Sequence, residues 1–160
     1  MATKQQTTSR TQPGDADKVW TEEERAAMEA SARERTVTSK RNPADERAAG
    51  LQDVRDGIAK MPPDDRAMAE RVHAIVTEAV PSLVPKTYYG MPAYARDGKD
   101  GKVICFFKPK SKFKVRYSTI GFQPDAKLDE GKMWATEFAL IELTPAVEAR
   151  IAELVKKAAG

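Results

Sequence analysis

One cysteine and one histidine in 160 residues leave little material for several kinds of chemistry. Cys105 has no partner for a disulfide and no companions for a zinc or iron–sulfur cluster. Its neighbours Val103, Ile104, Phe106 and Phe107 predict a buried, inert thiol. With His73 alone there is no Ser–His–acid order and no His-rich metal cluster, and the glycines form no phosphate-cradling loop. The commoner routes to catalysis are thereby excluded, and a non-enzymatic role is expected. No apolar run approaches the roughly 20 residues that span a bilayer. The stretch Met1 to Asp17 is polar, without the apolar core or cleavage site of a signal peptide. A soluble, cytoplasmic protein with no membrane partner is the expectation.

What the chain does have is unevenly placed positive charge. The formal net charge is +3, yet nine Lys or Arg stand between Lys86 and Ser118 against only Asp97 and Asp100. Within that stretch Lys112, Lys114 and Arg116 alternate with Phe113, Val115 and Tyr117. As a strand this segment would put three cations on one face and three apolar groups on the other. Such a face could meet an anionic partner, either nucleic acid, with Tyr88 or Tyr94 as stacking platforms, or a metabolite bearing phosphate or carboxylate. The plainer reading is a solvated sheet face whose charge discourages edge pairing.

Residues 1–20 are polar and predict a disordered tail. Thr21 followed by Glu24 forms a capping box that starts a helix to about Arg35. Its alanine-rich face offers little to bury, so it is expected to dock weakly or stand free, with a linker to residue 43. From residue 44 a domain is expected. Asn42-Pro43 starts a helix with apolar positions Ala48, Leu51, Val54, Ile58 and Met61, weakened by Gly50 and Gly57. Pro62-Pro63 ends it and starts another, with Met68, Val72, Ile75, Val76 and Ala79 on one face. The period then changes to two. Strands are predicted over Lys86–Tyr89, Met91–Ala95, Val103–Lys108, Phe113–Ser118 and Glu137–Leu143, with a polar loop from Gly121 to Gly131. Thr144-Pro145 opens a terminal helix with the stripe Val147, Ile151, Leu154, Val155 and Ala158. Helices, a sheet, then a helix predict an α+β two-layer sandwich of helices on one face of an antiparallel sheet.

The most distinctive run is Tyr88-Tyr89-Gly90-Met91-Pro92-Ala93-Tyr94, which reads as a kinked extended segment with two faces. Tyr88, Tyr89, Met91 and Tyr94, with Phe106, Phe138 and Trp134, supply the large side chains for a core and for a pocket between sheet and loop. On this run the chain resembles the YdhG-like family of small bacterial domains. The resemblance extends from about Leu51 to Ala158. It includes the helix ending at Met61-Pro62, the helix into Pro81, the Gly101–Phe107 strand and Thr136-Glu137-Phe138 before the Thr144-Pro145 helix. Some members are described as frataxin-like, with a helix–sheet–helix sandwich and a role as iron chaperones. The resemblance therefore implies weak binding of iron by helix carboxylates. Glu70 and His73 are neighbours three apart on a polar helix face, with Asp64, Asp65 and Glu78 along the same helix. The competing reading is that Asp64 and Asp65 serve the positive helix start and His73 is a boundary residue.

Overall fold

The computed structural model describes residues 20–40, 42–98 and 101–160. The tail expected over residues 1–20 thus lies, as far as residue 19, outside the described residues. The elements run α1 (Glu22–Lys40), α2 (Pro43–Ala59), α3 (Pro63–Ala79), β1 (Val84–Tyr88), β2 (Met91–Ala95), β3 (Val103–Lys108), α4 (Lys110–Phe113), β4 (Ser118–Phe122), β5 (Glu137–Leu140) and α5 (Pro145–Ala159). The protein is α+β, and its five strands form an antiparallel meander in the order β1-β2-β3-β4-β5. Among the described residues no helix is long and apolar enough to cross a membrane.

Local chemistry explains the helix starts. The Thr21 hydroxyl accepts from Glu24 N–H at 3.1 Å while the Glu24 carboxylate accepts from Thr21 N–H at 3.0 Å, closing the capping box. Asn42 accepts from Asp45 N–H and Thr144 accepts from Val147 N–H, each followed by proline in the first turn. At the far end of α5, Arg96 donates to Ala159 O and Lys127 to Gly160 O, so cations meet the carbonyl end of that helix.

One sheet face carries the main core. Tyr94, Cys105 and Phe122 stand in register across β2, β3 and β4, and Phe107 pairs with Ile120. They pack with Val54 and Ile58 of α2, Val72, Ile75 and Val76 of α3, and Ile151, Leu154 and Val155 of α5. Each such side chain taken fully out of water contributes roughly 1.5–3 kcal/mol. Cys105 is fully buried, and its thiol is pushed up to about 12 by that burial, as an inert core cysteine requires.

Several expectations are corrected. The kink read within the Tyr88–Tyr94 run is not a bend in one segment but a tight turn between the two strands expected there. Tyr88 ends β1, Met91 begins β2, and Tyr89 (φ 50°) with Gly90 (φ 75°) makes the two-residue turn between them. Positive φ at both central residues is the primed hairpin geometry that matches strand twist. Phe113–Ser118 is not a strand either. Lys110–Phe113 forms a helical turn, Lys114 closes it in the left-handed region at φ 52°, and the strand begins only at Ser118. The loop expected from Gly121 therefore starts after Phe122, and β5 stops at Leu140.

Helix α1 runs on through the expected linker to Lys40 and docks on the opposite sheet face, so the sandwich is not limited to two layers. That face presents Met91, Ala93 and Phe106 as a second small core, with Phe113 of α4 packed against it. Ala27 and Ser31 of α1 are buried, Glu34 accepts from Gly90 N–H at 2.7 Å, and Glu23 pairs with Lys114. The alanine face, read as offering little to bury, is what lets the helix approach closely.

Gly50, which weakens α2 as a helix former, is required by packing. A Cβ there would stand 2.1 Å from Pro85 O, a backbone atom that cannot yield without moving β1. Gly50→Ala should therefore destabilise the fold by about 2 kcal/mol or more, read as a lower midpoint in chemical denaturation. An unchanged midpoint would show that α2 does not rest on β1 in this way.

Candidate functional site

The first turn of α3 follows Pro62-Pro63, and its N-cap position has no side chain to offer. Asp65, the third helical residue, turns inward and is only 1% exposed. Its Oδ2 accepts from Ser111 N–H at 3.1 Å, which ties α3 to the α4 turn. Its Oδ1 has no partner and is the only buried side-chain nitrogen or oxygen so left among the described residues. Ser118, 2% exposed at the start of β4, accepts from Lys110 N–H at 3.0 Å and holds the other side of that turn. These two contacts place α4 between α3 and β4.

Beside them lies a cleft of about 480 Å³. Asp64, Asp65, Met68 and Arg71 of α3 form one wall, Lys110, Arg116, Tyr117 and Ser118 another, and Leu140 to Leu143 with Glu148 the third. Arg71 donates to both Glu148 oxygens at 2.7 and 2.8 Å, joining α3 to α5. This pairing holds the Glu148 carboxyl below, and the Arg71 guanidinium above, their ordinary values. Arg116 lies over the Tyr117 ring at 5.1 Å. Among the described residues neither Lys110 nor Arg116 makes an ion pair.

Only some of the residues singled out from the sequence meet here. Asp64, Asp65 and Arg116, read separately as candidate metal and anion groups, line this one cleft. Glu70 and Glu78 are exposed elsewhere on α3. His73 faces the core, where its Nδ1 and the buried Tyr94 hydroxyl share a hydrogen bond of 2.8 Å. Glu70 is thus exposed, while the Nδ1 side of His73 is held by Tyr94. Among the described residues no three His, Cys, Asp or Glu side chains are grouped to hold a metal ion. The five residues Asp64, Asp65, Glu70, His73 and Glu78 do not fit an iron site.

The basic face is dismantled too. Lys112 is half-buried beneath α1 and donates to Tyr89 O at 2.8 Å, and burial lowers its ammonium from the ordinary value while Glu34 opposes that shift. Lys114 is turned to Glu23, and only Arg116 of the three reaches the cleft. Val115 and Tyr117, expected on an apolar face, are exposed.

Nor do the motif aromatics share a pocket. Tyr94 is core, whereas Tyr88 and Met91 sit on the opposite sheet face and Pro92 is buried within β2. Trp134 lines a separate hollow with Phe138 and Leu154. Tyr89, Met91, Phe106 and Phe113 instead border an apolar groove of about 270 Å³ against Met28 of α1 and Trp20 just before it. A hollow of about 430 Å³ between α1 and α2 is lined by charges of both signs and has no buried polar atom left without a partner.

Sequence reasoning missed Lys110, Ser118 and Arg71. The available signal was Pro109 before Lys110-Ser111-Lys112-Phe113, a proline-led helical turn rather than a strand.

Fold and cleft together define an α+β domain with a polar small-molecule-sized cleft at one end of its sheet. Comparison of the chain with protein-family models, curated proteins and solved structures gives no match.

Burial, and then Arg55, lower the His73 imidazole from its ordinary 6.5. At pH above that value the ring is neutral folded and unfolded, and the shift costs nothing. As pH falls through 6.5 the unfolded chain takes up the proton first, and stability is lost until the depressed folded value is passed. The melting temperature should fall between about pH 7 and about pH 5, with a smaller fall in His73→Gln. Equal slopes in the two proteins would remove His73 from the account.

Proposed function

We propose that this domain is a non-enzymatic binding module that takes a small molecule bearing a carboxylate or phosphate in the cleft between α3, the α4–β4 connection and β5. The observation that carries this is the pair Lys110 and Arg116, two cations without a carboxylate partner among the described residues, lining one cleft. Its volume, about 480 Å³, falls in the range of small-molecule sites. Ser118 is committed to the Lys110 amide, which fixes the backbone from which Lys110 projects.

The order helices, antiparallel meander, helix is the coarse arrangement that the resemblance to the YdhG-like family implies, to which α1 adds a layer on the other sheet face. The iron handling that the resemblance implies receives no ligand set from Asp64, Asp65, Glu70, His73 and Glu78, and we do not adopt it. Nucleic-acid binding by a basic strand loses its strand, because Lys112 and Lys114 are engaged by Tyr89 and Glu23.

The test is an amide NMR titration of labelled protein with inorganic phosphate and, separately, with succinate. Saturable shifts at Ser111 and Ser118 are expected, weakening as salt rises and lost in the variant carrying Lys110→Ala and Arg116→Ala. Both side chains are at least partly exposed, so that variant keeps its fold. The absence of saturable shifts with either anion, or equal shifts in the double variant, would defeat the reading.

A further inference from the structure

We propose that the molecule held in this cleft is a zwitterion of amino-acid type, with its protonated amine at Asp65 and its carboxylate at Lys110 and Arg116. This rests on the binding role proposed above and narrows its ligand class.

The first argument is the state of Asp65. A carboxylate 1% exposed, with one oxygen bonded to Ser111 N–H and the other bonded to nothing, lacks a donor that the described protein does not supply. An acceptor buried unpaired is costly, more so on a charged group. Asp65 forms part of the cleft wall, and the terminal torsion of a carboxylate is soft, so its free oxygen can turn to an entering N–H. A protonated amine supplies both the donor and the compensating charge.

The second argument is the balance of charge around the cleft. Arg71 and Glu148 neutralise each other through their paired hydrogen bonds. What is left is Asp64, Asp65 and Glu142 against Lys110 and Arg116. A purely anionic ligand would meet three carboxylates, and a purely cationic one would leave the two cations unmatched. Among the described residues a metal ion finds no group of three ligands. A molecule with one charge of each sign satisfies both walls, which is how mixed-sign sites discriminate.

The third is the apolar remainder. Leu140 is buried, Met68 and Leu143 are partly buried, and Ile141 is 70% exposed at the rim. An exposed branched side chain beside a polar cleft gives the body of such a ligand an apolar surface to cover.

The experiment compares each of the free amino acids with its counterpart lacking the amine, for example leucine with 4-methylpentanoate, by calorimetry on the full chain. At least one amino acid should bind about tenfold or more tightly than its des-amino counterpart. Asp65→Asn, which keeps an acceptor for Ser111 N–H, should remove the preference for that amino acid over its counterpart, while the counterpart, relieved of one carboxylate, binds at least as well as before. If no amino acid exceeds its counterpart while succinate or phosphate still shifts Ser111 and Ser118, the zwitterion inference fails and the anion reading stands. If those anions shift nothing and no amino acid binds, both fail. The comparison on the unaltered protein decides the matter should Asp65→Asn not fold.

Discussion

The turn at Tyr89-Gly90 sets which side chains of the sheet face which way, and much of the molecule depends on that choice. Side chains alternate across a strand, so a slip of one residue in the β1–β2 hairpin would exchange the two faces. In the observed register Tyr88 pairs with Met91 and Thr87 with Pro92. Tyr94 is thereby sent into the main core, where it is hydrogen-bonded to His73, while Met91 and Ala93 go to the opposite face beneath α1. Gly90 carries a φ of 75°, where any side chain is strained, and a Cβ there would also displace Lys112 Nζ, 2.3 Å away, from its place beside Tyr89 O. The residue that makes the turn is also where α1 and α4 meet the sheet.

That meeting is polar as well as apolar. Glu34 takes the Gly90 amide, Lys112 takes the Tyr89 carbonyl, and Glu23 pairs with Lys114. Lys112 is half-buried, so its hydrogen bond and the nearby Glu34 offset part of the desolvation of its ammonium. The same helical turn that sends Lys112 under α1 presents Lys110 to the cleft and the Ser111 amide to Asp65. One four-residue helix therefore joins the docking of α1 to the geometry of the candidate site.

The helices were largely legible because their ends are written in short-range chemistry: Thr21 with Glu24, Asn42-Pro43 and Thr144-Pro145 act within one turn of themselves. Strands β2 and β3 were legible from their apolar runs. The stretch 113–118 misled because its alternation of cations and apolar residues mimics a strand. The helical turn that breaks it is tied at Lys110 to Ser118, at Ser111 to Asp65 and at Lys114 to Glu23, contacts that lie far away in sequence or across an element. Docking of α1 stayed open between weak and absent because close approach of a small-residue face adds little to a hydrophobicity pattern, and the role of Gly50 depends on a carbonyl 35 positions away. At the cleft, Asp64, Asp65 and Arg116 were each visible as charged residues. Their convergence was not, since folding brings together α3 and the α4–β4 connection from opposite sides of three strands.

The central claim is that the unpaired oxygen of Asp65 and the cations Lys110 and Arg116 belong to one ligand site. The most direct measurement is a high-resolution crystal structure of the full chain grown with a mixture of free amino acids. The account predicts electron density for a single small molecule spanning the cleft, with a nitrogen within hydrogen-bond distance of Asp65 and a carboxylate against Lys110 and Arg116. A cleft holding only ordered water, with one water donating to Asp65 Oδ1, would contradict it and make that carboxylate a structural group.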